Sequence, residues 1–189
     1  MAILKVARMG QPVLRRRAAP VDVPADAELR RLLDDMAETM EDAGGTGIAA
    51  PQVHQPLRAV VFFVGAGRAR RSAPEPGLDP AAEEHGIPLT VLLNPAFEPL
   101  DDTIDEDWEG CLSIPGLTGL VPRWRRIRYW GDDPAGHRIA REAAGFHARV
   151  VQHEIDHLDG VLYPERMRRL DTLIFTSEID SYREGETGG

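Results

Sequence analysis

The chain has 189 residues, 42% of them hydrophobic and 28% charged, with a net charge of -9 from 31 acidic and 22 basic residues. That length suits one domain with a sizeable core, and the acidic balance excludes general affinity for nucleic acid, which needs a basic face. A single cysteine excludes an internal disulfide; with no signal-peptide core in Met1 to Leu14 and no apolar run near the roughly 20 residues of a membrane span, the expectation is a cytoplasmic protein without a membrane partner.

Residues 1–23 read as extended and irregular, with Arg15, Arg16 and Arg17 as a solvated basic run. From Ala25 to Ala43 the residues Leu29, Leu32, Leu33, Met36 and Met40 recur at helical spacing, Asp26 stands at the N-cap position, and Gly44-Gly45 ends the helix. Gly44 to Gln52 is glycine-rich, but no Gly-Lys-Ser/Thr follows, which argues against a phosphate loop. Gln52 is the chemically interesting residue there, because its amide can donate to a developing oxyanion. Ala59 to Val64 is apolar and β-branched, a buried strand. Residues 65–88 lack any period and read as a surface loop insertion. Leu89 to Leu93 is a further strand, stopped by Asn94-Pro95, and Asp101 to Asp107 is a solvated acidic stretch.

Glu109-Gly110-Cys111-Leu112-Ser113 carries the only cysteine. Ile127–Trp130 and His137–Ala140 form a hairpin around Asp132-Asp133-Pro134-Ala135-Gly136, and Arg123, Arg125, Arg126 and Arg128 read as a charged strand face. His137 and His147 read as ordinary polar residues. Gly145 to Leu158 is a helix. Met167, Leu170, Leu173, Ile174 and Phe175 make a short amphipathic element that packs on the body, and residues 181–189 are a frayed tail. No internal repeat is present, so 1–189 reads as a single catalytic domain.

The last helix contains Gln152-His153-Glu154-Ile155-Asp156-His157-Leu158-Asp159-Gly160. Residues four apart share a helix face, so His153 and His157 can hold one metal ion, with Glu154 placed to handle a proton of a coordinated water. A third ligand has to come from elsewhere. One zinc-protease pattern puts a histidine where Tyr163 stands; Glu165 and Glu178 are downstream carboxylates, and Cys111 would complete a tetrahedral set with one open position.

Three stretches, Gly45-Thr46-Gly47-Ile48-Ala49-Ala50-Pro51-Gln52, Glu109 to Ser113 and Gln152 to Gly160, resemble in order the signature motifs of the peptide deformylases. The similarity extends to Ile3-Leu4-Lys5-Val6 and Gly10-Gln11-Pro12-Val13-Leu14 and so covers most of the chain. The resemblance implies an α+β fold, antiparallel β-strands around a central helix carrying His-Glu-x-x-His. It implies removal of the N-formyl group from the starting methionine of new proteins, with Cys111, His153 and His157 as metal ligands. A water on the metal attacks the formyl carbon, and Glu154 is general base and then acid. Gln52 and the backbone N–H of Leu112 stabilise the oxyanion. Gly45 and Gly47 bind the substrate backbone as an added strand, and Ile48, Leu112, Val150 and His153 form the methionine pocket. The implied ion is ferrous iron (Fe2+), with Zn2+, Ni2+ or Co2+ able to substitute. The implied partners are N-formylmethionyl peptides and nascent chains. Thr118 stands where an arginine is frequent in the family, on a segment expected to line the peptide groove. The tail lacks the long basic helix with which some relatives dock on the ribosome, so only a transient ribosome contact remains open. A zinc endopeptidase would instead take a third histidine or glutamate ligand, and a non-catalytic descendant would have lost Glu154 or Gln52.

Overall fold

The first helix, α1 (Ala27–Asp42), starts where its cap predicts: Asp26 Oδ1 accepts from the backbone N–H of Leu29 at 2.8 Å. The structure, a computed structural model, describes residues 2–69 and 86–187. After α1 come β1 (Gly47–Ala49), β2 (Ala59–Gly65), the short α2 (Ala66–Ala69), β3 (Gly86–Pro99), β4 (Ile104–Cys111), β5 (Ile114–Trp124), β6 (Arg126–Asp132) and β7 (Arg138–Ala144). The metal-motif helix α3 (Gly145–Leu158), the two-residue β8 (Ile174–Phe175) and the tail helix α4 (Ile179–Thr187) complete the order.

The strands form two antiparallel sheets, one in the order β1-β2-β3-β6-β7 and the other β4-β5-β8. The continuous apolar run of β2 is buried on both faces, as side-chain alternation requires. Val60, Phe62 and Val64 face α3, where they meet Val151, Ile155 and Leu158. Ala59 and Val61 face α1 and pack in one cluster with Met36 and Met40. A third cluster holds the smaller sheet against both chain ends and includes Ala7, Leu14, Val121 and Tyr163. The α+β expectation, antiparallel strands around a central helix, is the observed architecture.

The N-terminal arm is extended and irregular, as expected, with one 3-10 turn at Pro12–Arg15, and its backbone is used. Ala7 N–H donates to Gln52 O at 2.7 Å, Met9 N–H to Ser113 O at 2.8 Å, and Ala18 N–H to Leu158 O at 2.8 Å. One N-terminal segment therefore touches all three motif stretches.

Several boundaries differ from the sequence reading. Asn94-Pro95 does not stop a strand. β3 runs on to Pro99 because Asn94 takes a positive φ of 50° and the register shifts between Leu93 and Ala96, a bulge that accommodates the proline. Of the expected loop 65–88, Gly65 closes β2, Ala66–Ala69 is helical and Gly86–Pro88 opens β3, while residues 70–85 lie outside the described residues. Much of the acidic stretch, from Ile104 onward, is β4, held in the ladder by pairing with β5 along its whole length. Residues 181–187 of the expected frayed tail are helical in α4, whose Tyr182 packs edge-on against Trp108 with ring centroids 5.4 Å apart. Residues 188 and 189 lie outside the described residues.

Candidate active site

The smaller sheet delivers Cys111 at the end of β4, and α3 delivers His153, Glu154 and His157. Cys111 Sγ lies 3.3 Å from His157 Nε2, and the two histidine rings sit edge to face at 5.0 Å. One donor atom from each of Cys111, His153 and His157 falls within 4.8 Å of the others; among the described residues no other group of histidine, cysteine, aspartate and glutamate converges this way. In a tetrahedral site with bonds of 2.0–2.3 Å, ligand atoms are about 3.6 Å apart. The triad therefore fits a divalent ion. Glu165 is not part of it, since its carboxylate accepts from the backbone N–H of Leu162 at 3.0 Å and caps a turn.

Glu109, two residues before Cys111 and on the same strand face, orients the first histidine. His153 Nδ1 donates to Glu109 Oε2 at 2.8 Å, which leaves Nε2 for the ion. The carboxylate is itself held by Arg123, whose Nε and Nη2 donate at 2.8 and 3.0 Å, and by Arg149 Nη1 at 2.9 Å. Burial alone would raise the Glu109 pKa, but Arg123 and His153 outweigh it and hold the group far below the usual carboxylate range. Arg123 also donates to Asp156, which Arg166 grips through two further bonds. The expectation of a charged strand face fails for Arg123: it is buried, because its guanidinium bridges two buried carboxylates. The role of Glu109 was readable in principle, since residues two apart on a strand share a face.

Burial disfavours a Cys111 thiolate, yet the adjoining His157 and His153 outweigh it and hold the thiol well below its ordinary range. Glu154 is 4% exposed, and its Oε2 has no hydrogen-bond partner among the described residues. Burial pushes its carboxyl up to about 7, with His153 and His157 pulling the other way. Gly47 is required beside it: a Cβ there would lie 2.3 Å from Glu154 Oε1. At Gly45 a Cβ would come 2.9 Å from Leu112 Cδ1. Gln52 is fixed by the backbone of Ala49. Its Oε1 accepts from Ala49 N–H at 2.8 Å, so its Nε2 must face Ser113 Oγ at 3.2 Å and Cys111 Sγ at 3.5 Å.

Gly45, Gly47, Gln52, Leu112, Val150 and Glu154 all line one cleft of about 1030 Å³, with Cys111 and His153 in its wall. Ile48 does not reach it. Its side chain is 0% exposed and packs into the core between α1 and β2, the direction that β1's alternation imposes. Thr118 is also absent from the cleft. Its side chain is buried and its Oγ1 donates to Glu109 O at 2.9 Å, so the hydroxyl serves the hairpin and not a peptide groove.

Residues 3–172 match the family model described as polypeptide deformylase. The chain is 53% identical to peptide deformylase 1 of Bordetella pertussis over 178 residues, covering 94% of this chain and 93% of that protein. It is 48% identical to peptide deformylase 1 of Nitrosomonas europaea over 177 residues, 94% of each. Among solved structures, peptide deformylase from Ehrlichia chaffeensis superposes with a TM-score of 0.79 at 28% identity, covering 98% of this chain and 97% of that one. A class I type b peptide deformylase from Acinetobacter baumannii, with Met-Ala-Ser bound, gives 0.73 at 31% identity over 88% of this chain and 99% of that one. With the motif stretches gathered at one cleft and relatives matched over nearly their full length, this chain belongs to the polypeptide deformylase family.

Proposed function

We propose that the peptide deformylase reaction of this chain, hydrolysis of the formyl amide on N-formylmethionyl peptides, is run by Gln52, Cys111, Leu112, His153, Glu154 and His157. The observation that carries this assignment is the convergence of the Cys-His-His triad beside a buried carboxylate oxygen without a partner. Cys111, His153 and His157 would hold the divalent ion, which when bound supplies a Lewis-acid centre and lowers the pKa of a water. Glu154, with a carboxyl near neutrality, takes the proton of the attacking water and returns it to the leaving amine. Gln52 Nε2 and the backbone N–H of Leu112 donate to the oxygen that becomes negative, each such donor worth about 10²–10³ in rate. Gly45 and Gly47 let the substrate backbone approach as an added strand, and Val150, Leu112 and His153 contact the methionine side chain.

A thiolate with two imidazoles is a soft donor set that suits ferrous iron and also accepts zinc, nickel or cobalt. A lone cysteine used as a thiolate ligand calls for a reducing compartment, and we assign the protein to the bacterial cytoplasm. Contact with the ribosome is transient and does not use α4, whose Asp180 and Glu184 are unsuited to a polyanion. The test is anaerobic purification, metal analysis and a formyl-Met-Ala-Ser assay. Glu154→Ala is expected to retain stoichiometric metal and lose about 10²–10⁴ in turnover. Cys111→Ala is expected to lose the metal; stoichiometric metal in Cys111→Ala would overturn the ligand assignment.

A further inference from the structure

Arg149 has no part in the reaction above, yet it joins the two walls of the cleft. Its side chain is 5% exposed. Nη1 donates to Glu109 Oε1 at 2.9 Å, to Val121 O at 2.7 Å and, more weakly, to Asp107 O at 3.4 Å; Nη2 donates to Asp105 O at 2.8 Å. Those acceptors lie on both strands of the β4–β5 hairpin, so one guanidinium ties the hairpin to α3. The cleft runs between the same elements, with Phe146, Arg149 and Val150 on the helix side and Asp105, Asp107 and Glu109 on the strand side. A second tie, Arg123 to Asp156, sits about 10 Å farther along the helix, two turns on. His153 is oriented by Glu109, which Arg123 holds through two bonds and Arg149 through one. The wall beside Val150 has Arg149.

We propose that Arg149 is a positioning residue that fixes the spacing between α3 and β4, and through it the discrimination between substrate side chains. The proposal rests on the deformylase reading. A guanidinium presents its donors in a rigid planar fork, so binding a carboxylate and carbonyls of two strands sets both distance and angle. An ammonium has one nitrogen and cannot span those acceptors. A pocket gains discrimination of about 10–200-fold per methylene only when its walls hold still; walls free to close or open around each side chain lose it. Glu109 keeps Arg123 and His153 as partners when the clamp is lost, so at full metal loading the loss appears mainly in KM.

The experiment compares wild type, Arg149→Met and Arg149→Lys, each with its metal content and melting temperature measured, on formyl-Met-Ala-Ser and formyl-Ala-Ala-Ser. In both variants KM for the methionine peptide is expected to rise about tenfold while kcat falls less than about threefold, and the preference for methionine over alanine in kcat/KM is expected to shrink about tenfold. Arg149→Lys keeps the charge opposite Glu109, so it supplies the same comparison if Arg149→Met does not fold. A lower melting temperature with an unchanged methionine preference overturns the proposal, because it leaves Arg149 a purely structural role. Wild-type turnover tests the deformylase reading itself, and the variant-to-wild-type ratio tests the clamp, so the two fail separately.

Discussion

Glu109 accepts hydrogen bonds from His153, Arg123 and Arg149, and Asp156 accepts from Arg123 and Arg166. Buried charges of this kind contribute little net stability as a set, because desolvation offsets attraction, but removing one member strands the others. Arg123→Met would leave Glu109 and Asp156 short of a buried partner each. We expect it to cost about 3–5 kcal/mol and lower the melting temperature by about 10 °C, read by calorimetry on the metal-loaded protein. Glu109→Gln keeps the shape and loses the charge that orients His153, and is expected to weaken metal affinity about 10–100-fold in a competition titration. His153, Glu154 and His157 were legible in the sequence because their chemistry demands those residue types at that helical spacing, whereas Cys111 is fixed as the third ligand only through the family resemblance. Arg123 was not legible, because nothing in Arg123-Trp124-Arg125-Arg126 distinguishes the buried guanidinium from its neighbours, which the fold leaves half-buried.

At the scale of elements, α3 spans the residues its sequence predicts, since a helix packed on a sheet and lining a cleft must carry apolar and functional positions on adjacent faces. The strand β5 is where the sequence misleads. Substituting an arginine for Thr118 looks from the sequence like a gain in peptide contact. In the fold it would insert a long cation at a buried position whose hydroxyl donates to Glu109 O, and Thr118→Arg is expected to destabilise by more than about 3 kcal/mol. Thr118→Val, which removes only the hydroxyl, is expected to cost about 1 kcal/mol and leave KM for formylated tripeptides unchanged. A lowered KM in either variant would return Thr118 to the groove. The approach of β1 to α3 is tighter. Gly47→Ala forces the Glu154 carboxylate aside, and a displacement near 1 Å at such a group costs about 10² in turnover, measurable with metal content intact.

For the whole molecule, a core histidine is one of the groups that tie stability to acidity. His147 lies against Phe62 and Tyr129, and burial, aided by Arg141, lowers its pKa to about 4. The unfolded chain binds its proton near pH 6.5, so between about 6.5 and 4 the unfolded state holds more protons and stability rises with pH. The loss is absent above 6.5 and complete below 4, at most about 3 kcal/mol, less what partial exposure of the ring relieves. His147→Phe is expected to lower the slope of stability against pH, relative to wild type, in denaturant titrations between pH 4 and 6.5; an unchanged slope would reject the role. The α+β architecture was legible through the resemblance. The contacts of the N-terminal arm were not, because they are made by backbone groups that every residue possesses and leave no signature in side-chain type.

That arm gives the protein an order in time. Residues 7–18 leave a ribosome well before Leu158, which accepts from Ala18. At about 5–20 residues per second the arm waits on the order of 10 s for its final partner, with Ala7 and Leu14 still in water. Until α3 is complete, Cys111 is a lone thiol with no histidine opposite it. Capture of a metal by all three of Cys111, His153 and His157 therefore has to follow synthesis of α3.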